Sequence, residues 1–571
     1  MYFRKLSAPT LHRVTVDSFP GLDRRDRAAS GTFARMENLC ADGYPAAKVR
    51  PRRGHVTTLT APVGLTAKEA LIWVDGHTLY VGGHATGLVL REGDKQFVSM
   101  GAYLVIFPDK VWINLRDLAD FGHLDNTVTA AGAVSFALCR GDGSAWGAYT
   151  VSAEAPAQAE DGTLWLDISA AQPVLRRCGD GIWTEAADVC VRMECSGIGI
   201  GFREGDGVEV TGCAEETLNG LHILRCVDDD MLVFAGTVAG ESVQQGGVTV
   251  SRSVPDMDYV TECGNRLWGC KYGVVNGRAV NEVYASKLGD FRNWNCYAGL
   301  STDSYAASRG SDGPFTAAAS YLGSVLFFKE NCIERLYPSA SGAHQMVTLE
   351  CPGVLPECHK SVAAADGTLY YLGRGGVYAF DGSLPVTVSA ALDGLPLTGG
   401  CAGVWQGRYY LGALAGRERH LLVYDTRRGL WHRQDGTAVT DFAVWNGELY
   451  ALTEGGAVLS LHGQEGEKET SLFWLAETGE LGLDTAEHKY PQRLTLRLAL
   501  DKGAAVQAAL SYDGGVTWYP QGGMVGRGGA DAVTLHLRPR RCAQVRLRLQ
   551  GQGACTLYAL SAVYGKGSDE T

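Results

Sequence analysis

The chain has 571 residues, a formal net charge of −12 at pH 7 and 20% charged residues. This length requires several domains, and the acidic balance excludes a protein that coats nucleic acid through a generally basic surface. Glycine is abundant, with 74 residues, and methionine is rare, with 8, so turns and strands are expected and long helices are not.

Residues 1–60 are a basic segment on an otherwise acidic chain, with 11 Lys and Arg against 5 Asp and Glu. Two interpretations are open. The segment is an N-terminal arm with a strand that closes a propeller ring, and its arginines are solvated; or the arginines pair with carboxylates of a neighbouring subunit. The candidates for that subunit interface are Arg24, Arg25, Arg50, Arg52 and Arg53.

A turn followed by a strand recurs along the chain and is the strongest internal signal. It reads DGTLYYL from Asp366, QGRYYLG from Gln406 and NGELYAL from Asn446, so its glycines are 40 residues apart. This period is typical of propeller blades with four strands. Weaker copies begin upstream at Asp75, Ala102, Gly264 and Gly323.

The spacing of these copies predicts the number of blades. Gly76 and Gly101 are only 25 residues apart, too close for two four-stranded blades, so both are assigned to one blade. The sequence therefore predicts six blades, with seven as the alternative. The first blade is expected over 61–119 and the remaining blades over 256–462.

Residues 120–255 lack the repeat but keep strand patterns separated by glycine-rich and Asp-rich turns. We expect inserted domains here, each a small β-barrel or sandwich in a propeller loop. The polar residues 463–470 are expected to be a linker. Residues 471–571 alternate apolar and polar side chains, as in RLTLRLAL from Arg493, and predict a C-terminal β-sandwich. The fold class is thus all-β.

The stretch SYDGGVTW, from Ser511 to Trp518, matches the Asp-box pattern of sialidases and other sugar-active propellers. In that pattern the Ser and Asp side chains lock a hairpin turn, so a stabilised hairpin is the favoured interpretation. A sialidase would also need three arginines around a carboxylate, a Tyr nucleophile and an acidic partner. Nothing in the sequence marks such a set.

No other motif indicates catalysis, a cofactor or a metal. The thirteen histidines form no zinc motif, GIGIGF from Gly197 lacks the spacing of a dinucleotide loop, and Asp228–Asp230 is more simply an exposed hairpin tip than a Ca²⁺ site. The sixteen cysteines are scattered and are expected to be buried, reduced thiols made in a cytoplasm. Neither a signal segment nor a membrane-spanning run is predicted.

Several stretches together resemble a family of tailed-bacteriophage virion proteins, the propeller-bearing tail nozzle or head-completion proteins, also called packaged-DNA stabilisation proteins. The most specific pattern is GNRLWGCKYG from Gly264 followed by NEVYASKLGDFRNWN from Asn281. The other matching stretches are MENLCADGYPAAKVRPRRG from Met36, FFKENCIERLYP from Phe327, GGVYAFDG from Gly375 and the segment 538–569.

The resemblance implies a non-enzymatic structural protein of the virion tail, assembled in the host cytoplasm and needing no cofactor. Six or twelve copies would form a ring that contacts the portal or adaptor and other tail proteins, retains packaged DNA and forms its exit channel. An acidic lumen would repel phosphates, so contact with double-stranded DNA would be transient and non-specific. No stable membrane insertion is expected.

The blade repeat and the Asp-box support an alternative from another class, a glycan-binding or sialidase-like propeller protein. In that case some of the 12 Trp and 24 Tyr would be stacking platforms for sugars. Most of these aromatic residues occur at repeat positions, where they are expected to fill blade cores.

Overall fold

The computed structural model describes residues 10–26, 28–481, 487–538 and 540–566. These residues form an all-β fold with no α-helix; three short 3-10 turns lie at Glu216–Leu218, His359–Ser361 and Ala390–Leu392. In the described part of the chain, no helix is long and apolar enough to cross a bilayer. The chain divides into two compact units: unit 1 is Met1–Asp94, Phe328–Ile333 and Leu349–Thr571, and unit 2 is Lys95–Phe327 and Glu334–Thr348.

Seven sheets have the four consecutive, sequentially paired strands of propeller blades, and we number them as blade sheets 1 to 7 in chain order. Their strands are, in sheet 1, Pro62–Ala67, Leu71–Asp75, Thr78–Val81 and His84–Val89; in sheet 2, Gln96–Met100, Tyr103–Phe107, Val111–Asn114 and Asp117–His123; in sheet 3, Tyr259–Glu262, Leu267–Val275, Arg278–Ala285 and Tyr305–Ser308; in sheet 4, Phe315–Tyr321, Ser324–Lys329, Cys332–Tyr337 and Gln345–Glu350.

The remaining three are, in sheet 5, Ala363–Ala365, Thr368–Gly373, Gly376–Phe380 and Val386–Thr387; in sheet 6, Leu397–Trp405, Arg408–Ala415, Glu418–Asp425 and Leu430–Asp435; in sheet 7, Val439–Trp445, Glu448–Thr453, Ala457–Ser460 and, from the N-terminal segment, Gly54–Thr58. The all-β blade architecture is as expected, and the blade count is the alternative of seven.

The six-blade count is wrong because equivalent glycines do not occupy equivalent turns. Gly101, like Gly367, Gly407 and Gly447, joins the first and second strands of its sheet, whereas Gly76 joins the second and third strands of blade sheet 1. The distance of 25 residues therefore separates different turns of two sheets. In the regular repeats both central turn residues have positive φ, as at Asn446 (48°) and Gly447 (75°), which is the geometry of a tight hairpin that favours the Asn-Gly pair.

In unit 2, the segment between blade sheets 2 and 3 folds into two sheets around a shared apolar core that includes Phe136, Leu166 and Phe234. The larger has eight strands: Asn126–Thr129, Ala133–Cys139, Cys190–Glu194, Gly207–Thr211, Gly220–Asp228, Met231–Ala235, Ser242–Gln245 and Thr249–Arg252. The smaller has four: Tyr149–Ser152, Leu164–Asp167, Val174–Gly179 and Ile182–Glu185. Asp228 pairs with Met231 across a hairpin turn, so the acidic run is a hairpin tip as expected.

In unit 1, the C-terminal residues form two further sheets that both include strands from the N-terminus. The terminal sheet contains Leu11–Val16, Leu39–Cys40, Ala47–Val49, Lys489–Leu500, Gly529–His536 and Cys555–Lys566. The groove sheet contains, in spatial order, Phe33–Glu37, Phe473–Thr478, Arg546–Gln552, Ala505–Ser511 and Tyr519–Val525. The N-terminal segment is thus built into this domain and is not a separate arm.

The expected linker 463–470 also carries structure. Its strand Glu467–Lys468 pairs with Gly54–Thr58 and extends blade sheet 7 to a fifth strand. Gly54–Thr58 in turn pairs with Ala457–Ser460, so a strand from the beginning of the chain completes this blade. The sixteen cysteines are free thiols, and all except Cys40 and Cys226 are buried.

Candidate functional site

Two of the arginines predicted to form a subunit interface are buried inside unit 1. Arg53 is 3% exposed; its guanidinium contacts Asp435 Oδ2 at 2.8 Å and donates to Gln434 Oε1 at 2.7 Å. Arg50 is 4% exposed and pairs with Glu469 Oε2 at 2.8 Å. The interface prediction is therefore corrected for Arg50 and Arg53, because pairing of the N-terminal strands within the chain directs both guanidiniums to intramolecular carboxylates.

The other three predicted interface residues are exposed: Arg24, Arg25 and Arg52. Arg25 makes an ion pair with Asp23 at 2.7 Å, and its side chain is 49% exposed. Exposed pairs of this kind contribute little stability, so Arg25 can exchange partners at low cost. The involvement of these three residues in an interface stays a prediction.

A second group of charged residues in unit 1 surrounds Lys360. Its Nζ lies 2.7 Å from Asp94 Oδ1 and 3.0 Å from Asp441 Oδ1, and His359 Nε2 lies 3.4 Å from Asp94 Oδ2. Burial raises the pKa of Asp441 to about 6, although Lys360 opposes the shift. Burial acts in the same direction on Asp94, but hydrogen bonds and charge from His359 and Lys360 outweigh it and hold its pKa at about 2.

These two carboxyl groups therefore differ in protonation across mildly acidic pH, which is the kind of division seen between an acid and a base in catalytic sites. Asp441 is only 12% exposed, however, and Lys360 lies between the two carboxylates. The three segments that supply these residues are held together by the ion pairs. The geometry is that of a buried charge network within unit 1, and we assign it no reaction.

The Asp-box forms the hairpin that the sequence predicts. Ser511 Oγ donates to Asp513 Oδ1 at 2.7 Å and accepts from the Gly515 backbone N–H at 2.9 Å, while the Thr517 N–H donates to Asp513 Oδ1 at 2.9 Å. Trp518 follows the turn and lies under the Arg548 guanidinium at 3.8 Å. The box thus fixes the connection between Ala505–Ser511 and Tyr519–Val525 in the groove sheet.

The outward face of the groove sheet carries a row of exposed amides. Side chains alternate along a strand, so residues opposite one another on neighbouring strands share a face. Gln550 lies opposite Gln507 on one side and Leu475 on the other, and Gln552 lies opposite Phe473. The Gln550 amide donates to Gln507 Oε1 at 3.4 Å, and Phe473 is 64% exposed.

Charged side chains on this face are paired with one another, so the face has no excess of either sign. Glu477 accepts from Arg548 at 2.9 Å, and Glu37 accepts from Arg433 at 2.7 Å. Arg35 also reaches Glu37, at 3.4 Å. Between these pairs, the amides can both donate and accept hydrogen bonds. The face is therefore polar without being charged.

Two adjoining hollows lie on this face and share Gln507 and Gln550. One, of about 550 Å³, is lined by Phe473, Ala505, Gly551 and their neighbours. The other, of about 430 Å³, is lined by Trp518 and by the small residues Ala508, Ala509, Gly522 and Gly523. Small side chains between aromatic residues leave room for a flat ligand, and the central amides supply hydrogen bonds to it.

Sequence reasoning found Trp518 through the Asp-box but missed Phe473, Gln507 and Gln550. The signal in the sequence was the period-two pattern of AVQAALS, which places Gln507 on the face opposite to Val506 and Ala508. Recognising a shared row also requires the pairing of Gln507 with Gln550, 43 residues later. This pairing is not visible in either segment alone.

The most specific stretches of the phage-protein resemblance are structural in this fold. Arg266 is 4% exposed and donates to the Ser286 carbonyl at 2.8 Å. Trp268 is fully buried and donates to the Cys263 carbonyl at 3.0 Å. Asn293, 1% exposed, accepts from the Gly207 N–H at 3.1 Å. These residues hold backbone segments of unit 2 in place.

No family model and no curated protein matches the chain. Solved structures that it resembles include an exo-β-1,3-galactanase from Phanerochaete chrysosporium, at 10% identity over 53% of this chain and 95% of that chain, with a TM-score of 0.21. PorZ, a surface component of the type-IX secretion system of Porphyromonas gingivalis, matches at 8% identity over 83% and 71%, with a TM-score of 0.26.

The extracellular domain of BT4673, a putative one-component system of B. thetaiotaomicron, matches at 9% identity over 92% of this chain and 98% of that chain, with a TM-score of 0.21. Since the matches include glycoside hydrolases, they contradict the expectation that the chain is not an enzyme, and we withdraw it. At these identities and TM-scores the matches assign no activity to this chain.

Proposed function

We propose that the chain is a glycan-binding protein and that the outward face of the groove sheet is its binding site. The observation that carries the proposal is the exposed amide row of Gln507, Gln550 and Gln552, bordered by the exposed Phe473 and by Trp518. Sugar hydroxyls both donate and accept hydrogen bonds, as do amides, and the C–H faces of sugar rings pack on aromatic rings.

The charge balance of the face favours a sugar over a nucleic acid. Nucleic-acid sites present unpaired Lys and Arg to phosphates, whereas Arg548 and Arg433 are paired here with Glu477 and Glu37. The net charge of −12 on the whole chain acts in the same direction.

The test is retention of the purified protein in gels that contain single neutral polysaccharides, such as galactan, xylan, mannan and starch. Q507A/Q550A should weaken retention by about tenfold or more in affinity, because each lost hydrogen bond contributes about 0.5–1.5 kcal/mol. Y558A is the matched control, since Tyr558 is 40% exposed on the terminal sheet. Equal retention of the double variant and the wild type would refute the site.

A second proposed function rests on the sequence resemblance to phage tail proteins, whose stretches occur in the family's order along this chain. In this proposal copies of the chain form a six- or twelve-membered ring in the virion tail, next to the portal or adaptor, and conduct packaged DNA. Electron microscopy of the protein with its genomic neighbours should then show rings with a channel. Dispersed single chains under all mixing conditions would refute this second proposal.

A further inference from the structure

The two hollows of the groove sheet form a single continuous surface. Both are lined by Gln507 and Gln550, so one molecule can occupy both without crossing a barrier of other side chains. The first hollow extends from these amides to Phe473, and the second extends in the opposite direction to Trp518. A ligand that contacts both aromatic residues must therefore pass over the amide row.

The length of this surface follows from the order of strands. Phe473 lies on Phe473–Thr478, and the second hollow reaches Tyr519–Val525, three strand positions away through Arg546–Gln552 and Ala505–Ser511. At about 4.8 Å between neighbouring strands, the surface measures about 14 Å. A single pyranose ring cannot contact both ends, whereas a short oligosaccharide can.

The ends of this surface coincide with the two edges of the sheet. Tyr519–Val525 is one edge strand, and Tyr519 and Pro520 are exposed there. Phe33–Glu37 is the other edge strand, beside Phe473–Thr478. Because the sheet ends at both sides, a ligand can continue past either edge, and neither end selects a terminal sugar.

We propose that the groove sheet binds an internal stretch of an uncharged oligosaccharide, with central units on Gln507 and Gln550 and outer units on Phe473 and Trp518. This inference rests on the proposed glycan-binding function and adds the ligand's charge and minimum length. The uncharged class follows from the mutual pairing of Glu477 with Arg548 and of Glu37 with Arg433, which leaves no unpaired charge in either pair for an acidic sugar.

The experiment is calorimetric titration with malto-, cello-, xylo- and galacto-oligosaccharides from one to four units. For the series that binds, affinity should rise at least tenfold from the monosaccharide to the trisaccharide. It should change less than twofold between about 50 and about 500 mM NaCl, because an uncharged ligand is not screened. F473A should abolish most of the gain with length and leave monosaccharide affinity unchanged, whereas Q507A should weaken every length.

The outcomes separate the two proposals. Equal affinities for the monosaccharide and the trisaccharide would overturn the length inference while glycan binding itself stands. Preferential, salt-sensitive binding of hyaluronan or alginate would overturn the uncharged class. Absence of binding to every neutral and acidic probe, by wild type and by the Y558A control, would overturn the glycan-binding function and this inference with it. Unchanged amide hydrogen exchange in the variants establishes that they are folded.

Discussion

Removal of the Arg53 side chain should release the N-terminal strand that completes blade sheet 7. Arg53 directly precedes Gly54–Thr58 and is 3% exposed, with Asp435 at 2.8 Å and further hydrogen bonds to Gln434 and Thr437. Breaking a buried, hydrogen-bonded ion pair by deleting one partner costs about 3–5 kcal/mol, because the remaining charge stays buried. We therefore expect R53A to weaken the local closure of this strand by that amount.

Hydrogen–deuterium exchange measured by mass spectrometry reads this opening directly. At 1.4 kcal/mol for each factor of ten, exchange of the amides in Gly54–Thr58 should accelerate by roughly two to three and a half orders of magnitude. R52A is the matched control, since Arg52 is the exposed neighbour of Arg53 and its removal should change exchange little. Equal exchange in R53A and R52A would refute the importance of the buried pair.

Three further predictions concern titration and reactivity. The pKa of Asp441, raised to about 6, means that its contribution to stability falls by about 3 kcal/mol as pH rises from about 4 to about 7; in denaturant unfolding, the stability difference between wild type and D441N should fall over that range, and a constant difference would contradict it. Hydrogen bonds from Thr517 and Ser511 hold the pKa of Asp513 well below its usual range, so the hairpin should loosen as pH falls below about 4, and D513A should exchange its hairpin amides faster at neutral pH; unchanged exchange would argue against the lock. Burial raises the pKa of Cys555 to about 12, so this thiol should react with an aromatic disulfide reagent only after unfolding, and rapid labelling of Cys555 in the native protein would be the contrary result.

The blade repeat was predictable because it depends on local residues. A polar residue followed by glycine specifies a tight turn, and aromatic or aliphatic residues after it specify a buried strand, as at Asn446 and Gly447. The blade count was less accessible, since Gly76 has the same local signal but joins a different pair of strands. Local chemistry defines a turn without defining its position in a sheet.

The sites depended on pairings between distant segments, which one sequence does not show. Arg53 meets Asp435 across 382 positions, and that contact turned a predicted interface residue into a buried one. The amide row depends on Gln507 lying beside Gln550. In both cases the residue types were visible in the sequence, while their surroundings depended on the order of strands in a sheet.

The pairing of Leu11 with Gly565 sets the timing of folding during synthesis. The strand Leu11–Val16 leaves the ribosome early, but its partner Cys555–Lys566 is made more than 500 residues later. At roughly 5–20 residues per second, the N-terminal strand waits about half a minute to two minutes for that partner. During this interval its unpaired edge is open to other nascent chains, so translation rate and chaperone supply should strongly affect the yield of folded protein.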